Sequence, residues 1–213
     1  MGHELERRLG QRKPGRQKAG RDQARERIIK SAIHLFSERG LHDSSLALIA
    51  KQAKVPPSLI IYYFKSRENL LKESALSAVS TNRGGFQAAL LPEMNAFDQL
   101  MLYFRVNLEW VHQFKAEAKL MLLLFFLCST DPALARFHDE LIQGGIRQLE
   151  AILWAGKREG RFVLPKDPQV LARSLQSISA GYSLRIVMAE DPQSLIEQSL
   201  KDIEQLLKRQ FNG

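Results

Sequence analysis

Apolar residues recur at three- and four-residue intervals from Asp22 almost to the C-terminus, and nowhere do they alternate with polar ones over a strand's length. On a helix of 3.6 residues per turn that spacing gathers one apolar stripe, which needs another helix to cover it. Three Asp-Pro pairs sharpen the pattern: Asp131-Pro132, Asp167-Pro168 and Asp191-Pro192. An aspartate carboxylate caps the orphan amides of a helix start, and proline at the first helical position lacks only an N–H that would have no partner there. Helices are therefore expected to begin near 132, 168 and 192. The fold class that follows is all-α, with about nine helices. A chain of 213 residues with 45% hydrophobic and 25% charged residues has enough apolar material for a real core. Its longest apolar run, Leu120 to Cys128, is half of the roughly 18 residues a membrane span requires. It reads instead as a helix buried on all sides.

The remaining elements follow from the same signals. Ile28, Ala32 and Phe36 form one ridge and Ile29 and Ile33 its neighbour, giving a first helix over about 22–39, closed by Gly40. Ser44 or Ser45 caps a short helix carrying Leu46, Ile49, Ala50 and Ala53. A second short helix opens at Pro56-Pro57 and runs to about 63. Ser66 caps a longer helix that fades near Gly84-Gly85. Leu100, Phe104, Leu108 and Val111 line another, and Gly156 and Gly160 end the helix that starts near 132.

Charge is distributed unevenly. Residues 1–72 carry 16 Lys/Arg against 7 Asp/Glu, a net of +9, while residues 73–213 carry 15 against 16, a net of −1. The first third thus suits a polyanionic partner. Residues 1–20, with Arg7, Arg8, Arg12, Lys13, Arg16 and Lys18, read as a flexible basic arm able to add phosphate or minor-groove contacts. One cysteine, Cys128, allows no intramolecular disulfide, and Met1-Gly2-His3-Glu4 opens no secretory signal; a cytoplasmic location is expected.

Two short helices joined by a tight turn inside a basic region are what a helix-turn-helix requires. The first meets the DNA backbone through its amino end, and the second lies in the major groove. Leu46, Ile49, Ala50, Val55, Ile60 and Phe64 are suited to hold the pair against Ile33 and Phe36. Residues 25–71 closely resemble the DNA-binding domain of the TetR family of bacterial transcriptional regulators. The shared features are Leu35-Phe36, Gly40-Leu41, the serine pair before Leu46, Ile49-Ala50, Ala53, Val55, Tyr63-Phe64, Lys65-Ser66, Glu68 and Leu70-Leu71.

The resemblance implies a domain order: a basic arm over 1–20, a helix-turn-helix domain over 21–66, and a helical effector-binding and dimerisation domain over 67–213. It also implies roles. Ser45 would meet a phosphate, Pro57, Ser58 and Leu59 would open the recognition helix toward the bases, and Tyr62 and Tyr63 would reach phosphates by hydroxyl. Arg67 would bind another phosphate, and Lys65 and Ile61 complete the DNA-facing set. Three departures stand out. Lys54 occupies a turn position where the family usually has glycine, so it must go left-handed or the turn must differ. Ile61 replaces a common tyrosine, and Arg67 a common lysine. With Ala47 and Leu48 also apolar, base readout is expected to lean on thymine methyls, through Leu59 or Ile61, and on DNA shape.

Near the C-terminus, Leu171, Leu175, Ile178 and Tyr182 step 4-3-4, as do Ile196, Leu200, Ile203 and Leu207. In the resembled family two such helices from each subunit form a four-helix bundle. These eight residues are the expected interface of a homodimer that presents two recognition helices to a palindromic operator in double-stranded DNA. Phe104, Trp110, Phe125, Cys128 and Trp154 are the expected lining of a pocket for an unknown small, apolar effector.

No enzyme is expected. The five histidines lack metal-ligand spacing, and no nucleophile elbow, phosphate loop or dinucleotide fingerprint is present. Neither catalytic residues, nor a metal, nor a cofactor is foreseen. The expected function is a sequence-specific transcriptional regulator, a repressor relieved by its effector. The alternatives are a helical ligand- or partner-binding protein that has lost operator recognition, and a protein that coats DNA by charge alone.

Overall fold

The computed structural model describes residues 14–164 and 167–211. Nine helices and no strand occur among them: α1 Pro14–Arg39, α2 Leu46–Ala53, α3 Pro57–Phe64, α4 Arg67–Ala89, α5 Ala96–Gln113, α6 Lys115–Leu127, α7 Pro132–Arg158, α8 Pro168–Met188 and α9 Pro192–Phe211. The chain divides into two compact units, Met1–Ser74 and Ala75–Gly213, and the division falls within α4.

Capping chemistry sets the helix starts. Asp131 accepts from the amides of Ala133 and Leu134 at 2.8 and 3.2 Å, Asp167 from Gln169 at 3.0 Å, and Asp191 from Ser194 at 3.1 Å. Asn95 caps α5 in the same way, accepting from Phe97 and Asp98. The expected ends fare less well. α1 begins at Pro14 rather than near 22, because proline is at home in a first turn and neither Gly15 nor Gly20 interrupts the helix. The arm assigned to 1–20 is therefore helical backbone from residue 14, and residues 1–13 lie outside the described residues. α4 runs on through Gly84-Gly85 to Ala89, and α7 passes Gly156 before closing at Gly160, whose φ of 71° suits a left-handed cap.

In the first unit the two ridges of α1 pack as their spacing requires. Ile28, Ala32 and Phe36 are at most 1% exposed, and Ile49, Ala50, Ile60, Phe64, Leu70 and Leu71 are buried with them. Glu73 pairs with Arg25, which ties the opening turns of α4 to α1. In the second unit α5 supplies Leu100, Phe104, Leu108 and Val111 to a core shared with Ile146, Leu149 and Leu153 of α7, Leu175 of α8 and Leu200, Ile203 and Leu207 of α9. Phe162 closes one end of this core. Its ring stacks on Phe211 with centroids 4.0 Å apart and covers Gly156, where a Cβ would stand 2.0 Å from Cδ2.

The run 120–128 is not buried all round. Leu120 and Leu124 face the core, but Phe125 and Phe126 are 66% and 72% exposed. An unbroken apolar run covers every side of a helix, and α6 packs on one side only.

Candidate DNA-recognition site

Helices α2 and α3 and the turn between them carry the site. Ser45 is exposed and extended (φ −69°, ψ 151°), and its Oγ accepts from the Leu48 amide at 3.2 Å. Such a hydroxyl caps α2 with its lone pairs and retains its proton for an outside acceptor. At the other end of α2 the Ala53 carbonyl accepts from Arg27 Nε at 3.3 Å, and the buried Ser44 hydroxyl donates to the Gly40 carbonyl at 2.7 Å.

The turn keeps a left-handed position and fills it with a residue other than glycine. Lys54 is left-handed, at φ 54° and ψ 51°, and its amide and that of Val55 return to carbonyls at the end of α2. A side chain at such a φ costs about 1 kcal/mol relative to glycine. Lys54→Gly is expected to raise stability by up to about 1 kcal/mol, part of the gain being lost to the freer unfolded chain. Chemical denaturation measures it, and an unchanged midpoint would contradict the strain.

Pro57 opens α3 behind an extended Pro56. Ile60 and Phe64 are buried, Leu59 and Tyr63 half-buried, and Pro57, Ser58, Ile61, Tyr62 and Lys65 exposed. The exposed positions form one face, a stripe along the outer side of a helix two turns long. Lys65 also takes a positive φ, 66°, in the two-residue turn before Ser66 caps α4, and its Nζ lies 5.5 Å from the centre of the Tyr62 ring.

Several sequence expectations change here. The Tyr63 hydroxyl donates to the Arg21 carbonyl at 3.3 Å and so links α3 to α1. Arg67 is half-buried and gives Nη1 to the His42 carbonyl at 3.1 Å, joining the turn after α1 to the start of α4. Leu59 is half-buried, which leaves Ile61 as the exposed aliphatic side chain of α3. Sequence reasoning missed Arg27, whose link to α2 carries no local signal. The left-handed Lys65 had one: it stands between a helix end and a capping serine.

In the second unit the residues expected to line an effector pocket stand in different settings. Phe104 is sealed in the core, whereas Phe125 and Trp154 are exposed, Trp154 beneath Lys157 at 4.9 Å. Cys128 is half-buried and donates its thiol to the Leu124 carbonyl at 3.0 Å; burial and the nearby Asp131 both push its pKa up, so its reactive thiolate is disfavoured. Trp110 is half-buried, stacked on Phe114, and its Nε1–H is buried without an acceptor. It shares a stripe of α5 with Tyr103 and Asn107, at i, i+4 and i+7. The Tyr103 hydroxyl meets Gln176 Oε1 of α8 at 2.5 Å beside Gly145 of α7, and burial pushes its pKa up.

The expected dimer stripes also need correction. Leu175, Ile196, Leu200, Ile203 and Leu207 are at most 5% exposed within the protomer's own core. Leu171, Ile178 and Tyr182 are partly buried against it. What α8 leaves exposed is the neighbouring stripe Ser174, Ser177, Gly181, Leu184 and Met188, and α9 leaves Leu206. Between them runs a groove lined by Ile178, Gly181, Tyr182, Arg185, Asp202 and Leu206.

With this geometry in place, residues 28–74 match the family model described as bacterial regulatory proteins, tetR family. The first unit carries a DNA-binding domain of the TetR type. The chain is thus a helix-turn-helix DNA-binding transcriptional regulator, a role that rests on this match and on the curated relatives. A curated relative, the HTH-type transcriptional regulator BetI of Klebsiella pneumoniae (strain 342), is 26% identical over 171 residues, covering 79% of this chain and 84% of that one. Among solved structures, a TetR transcription regulator from Haloarcula marismortui ATCC 43049 superposes with a TM-score of 0.77 at 18% identity, over 89% of this chain and 98% of that one. A putative transcriptional regulator from Saccharomonospora viridis in complex with choline gives 0.76 at 18%, with the same coverage. Among the described residues there is no cluster of side chains able to hold a metal ion, and no helix long and apolar enough to cross a membrane.

Proposed function

We propose that this chain is an operator-binding repressor that works in the cytoplasm as a homodimer and is released from DNA by a small, mainly apolar molecule. The observation that carries the reading is the outer face of α3. A short helix with three aromatic and two isoleucine side chains keeps Ser58, Ile61 and Tyr62 in solvent, while Ile60 and Phe64 are buried. An exposed stripe on a rigidly seated helix is a reading head.

The second copy is proposed to sit on the groove between α8 and α9. Gly181 supports this. Mid-helix glycine costs about 1 kcal/mol relative to alanine, and a Cβ there would meet nothing within 4 Å of the protomer. The open space at Gly181 suits a close approach by another chain, with Leu184, Met188 and Leu206 supplying apolar area around it.

The effector is proposed to enter along the α5 stripe. The unpartnered Trp110 Nε1–H there calls for an acceptor in an otherwise aromatic surrounding. The choline complex of the Saccharomonospora protein supports a small molecule as occupant of such a helical unit, without naming this one.

Selection of bound sequences from random DNA, followed by salt titration, tests the reading. A palindromic motif with half-sites one helical turn apart, or a multiple of it, is expected. Absence of binding, or binding with steep salt dependence and no motif, would refute it.

A further inference from the structure

The exposed stripe of α3 has a chemical composition that limits what it can read. Pro57, Ser58, Ile61, Tyr62 and Lys65 face outward. None of them has the carboxamide that grips adenine in two bonds, and none has the guanidinium fork that grips guanine. Lys65, the one side chain here that bonds guanine, lies at the far end of the stripe by the ring of Tyr62, whose hydroxyl is the expected phosphate contact, and the hydroxyl of Ser58 does not discriminate among bases. Ile61, at the centre of the stripe and 53% exposed, has only methyl and methylene groups to offer. In the major groove just one feature of the four bases matches such a group, the C5-methyl of thymine.

We infer that Ile61 is the specificity-determining residue of the recognition helix and that it reads a thymine methyl group in each operator half-site. This rests on the operator-binding reading above. It does not depend on Leu59, which is half-buried and turned aside from the stripe. Ser58, one turn earlier on the same face, orients the helix over the neighbouring base without choosing it. The contact is worth one buried methyl, about four-fold in affinity. Two half-sites together give about 15-fold, since separated contacts add in free energy.

The test uses the full chain and the operator obtained by selection. Each thymine of the half-site is replaced in turn by uracil, which lacks only the methyl. Wild-type protein is expected to lose about four-fold at one position per half-site, and Ile61→Ala to bind the thymine and uracil operators equally. Ile61 is exposed and alanine favours helix, so the variant keeps its fold; an unchanged melting curve checks this. If wild type tolerates uracil everywhere, the methyl contact is refuted and operator binding stands. If the sensitivity persists in Ile61→Ala, the assignment to Ile61 is refuted. If no motif is selected at all, both this inference and the reading beneath it fall.

Discussion

Replacing Gly181 with glutamate is expected to leave the folded protomer intact and to lower operator affinity at least a hundred-fold. The protomer has open space where the new side chain would start, and any residue other than proline suits a helix better than glycine. In the proposed dimer the same position is covered by a second copy, beside Asp202, which already lines the groove. A glutamate there fills the space the close approach needs and must be desolvated beside Asp202, a cost of several kcal/mol that Arg185 one turn on offsets only in part, which is enough to separate the two chains at micromolar concentration. A lone protomer holds one half-site and loses the additive energy of the second. Sedimentation and operator titration, run together, check both halves of the expectation. A Gly181→Glu protein that stays dimeric would move the interface elsewhere.

A second large effect is expected at the end of the core. Phe162→Ala removes a ring that is 5% exposed, stacked on Phe211 and resting on the Cα of Gly156. Loss of a buried phenylalanine costs about 3–5 kcal/mol, or roughly 10 °C in melting temperature for a chain of this size. The mechanism makes a sharper demand on a double-mutant cycle. Gly156→Ala alone forces its methyl into the Phe162 ring and is expected to cost about 1–3 kcal/mol. In the Phe162→Ala background the obstacle is gone, and the same change is expected to be neutral or stabilising, since alanine favours helix over glycine by about 1 kcal/mol. Denaturant titration of the four proteins measures the coupling, and simple additivity would show that the ring and the glycine do not act on one another.

Much of the fold is legible in the sequence because its signals are local. Asp131, Asp167, Asp191 and Ser45 cap the helices that follow them, and each does so with a side chain of its own segment. The recognition stripe is legible for the same reason, through spacing on one short helix. What misled was of another kind. The 4-3-4 stripes of α8 and α9 mark the faces that are apolar, and a face buried against the same chain cannot be told by spacing from one buried against another. Leu175 and Leu200 proved to be the former. The stripe beside them, Ser174, Ser177, Gly181, Leu184 and Met188, steps 3-4-3-4 and is too rich in small residues to stand out by hydropathy. The carbonyls of Arg21 and His42 that Tyr63 and Arg67 meet in three dimensions are likewise not recorded in the sequence.

The aspartate-proline pairs bear on how such a chain drifts over generations. A helix whose first turn is anchored by its own carboxylate keeps its starting point whatever happens to the neighbours it packs against. Interior residues can then be exchanged one volume for another while the punctuation holds each segment in frame. A scaffold written this way can be re-lettered inside without being redrawn.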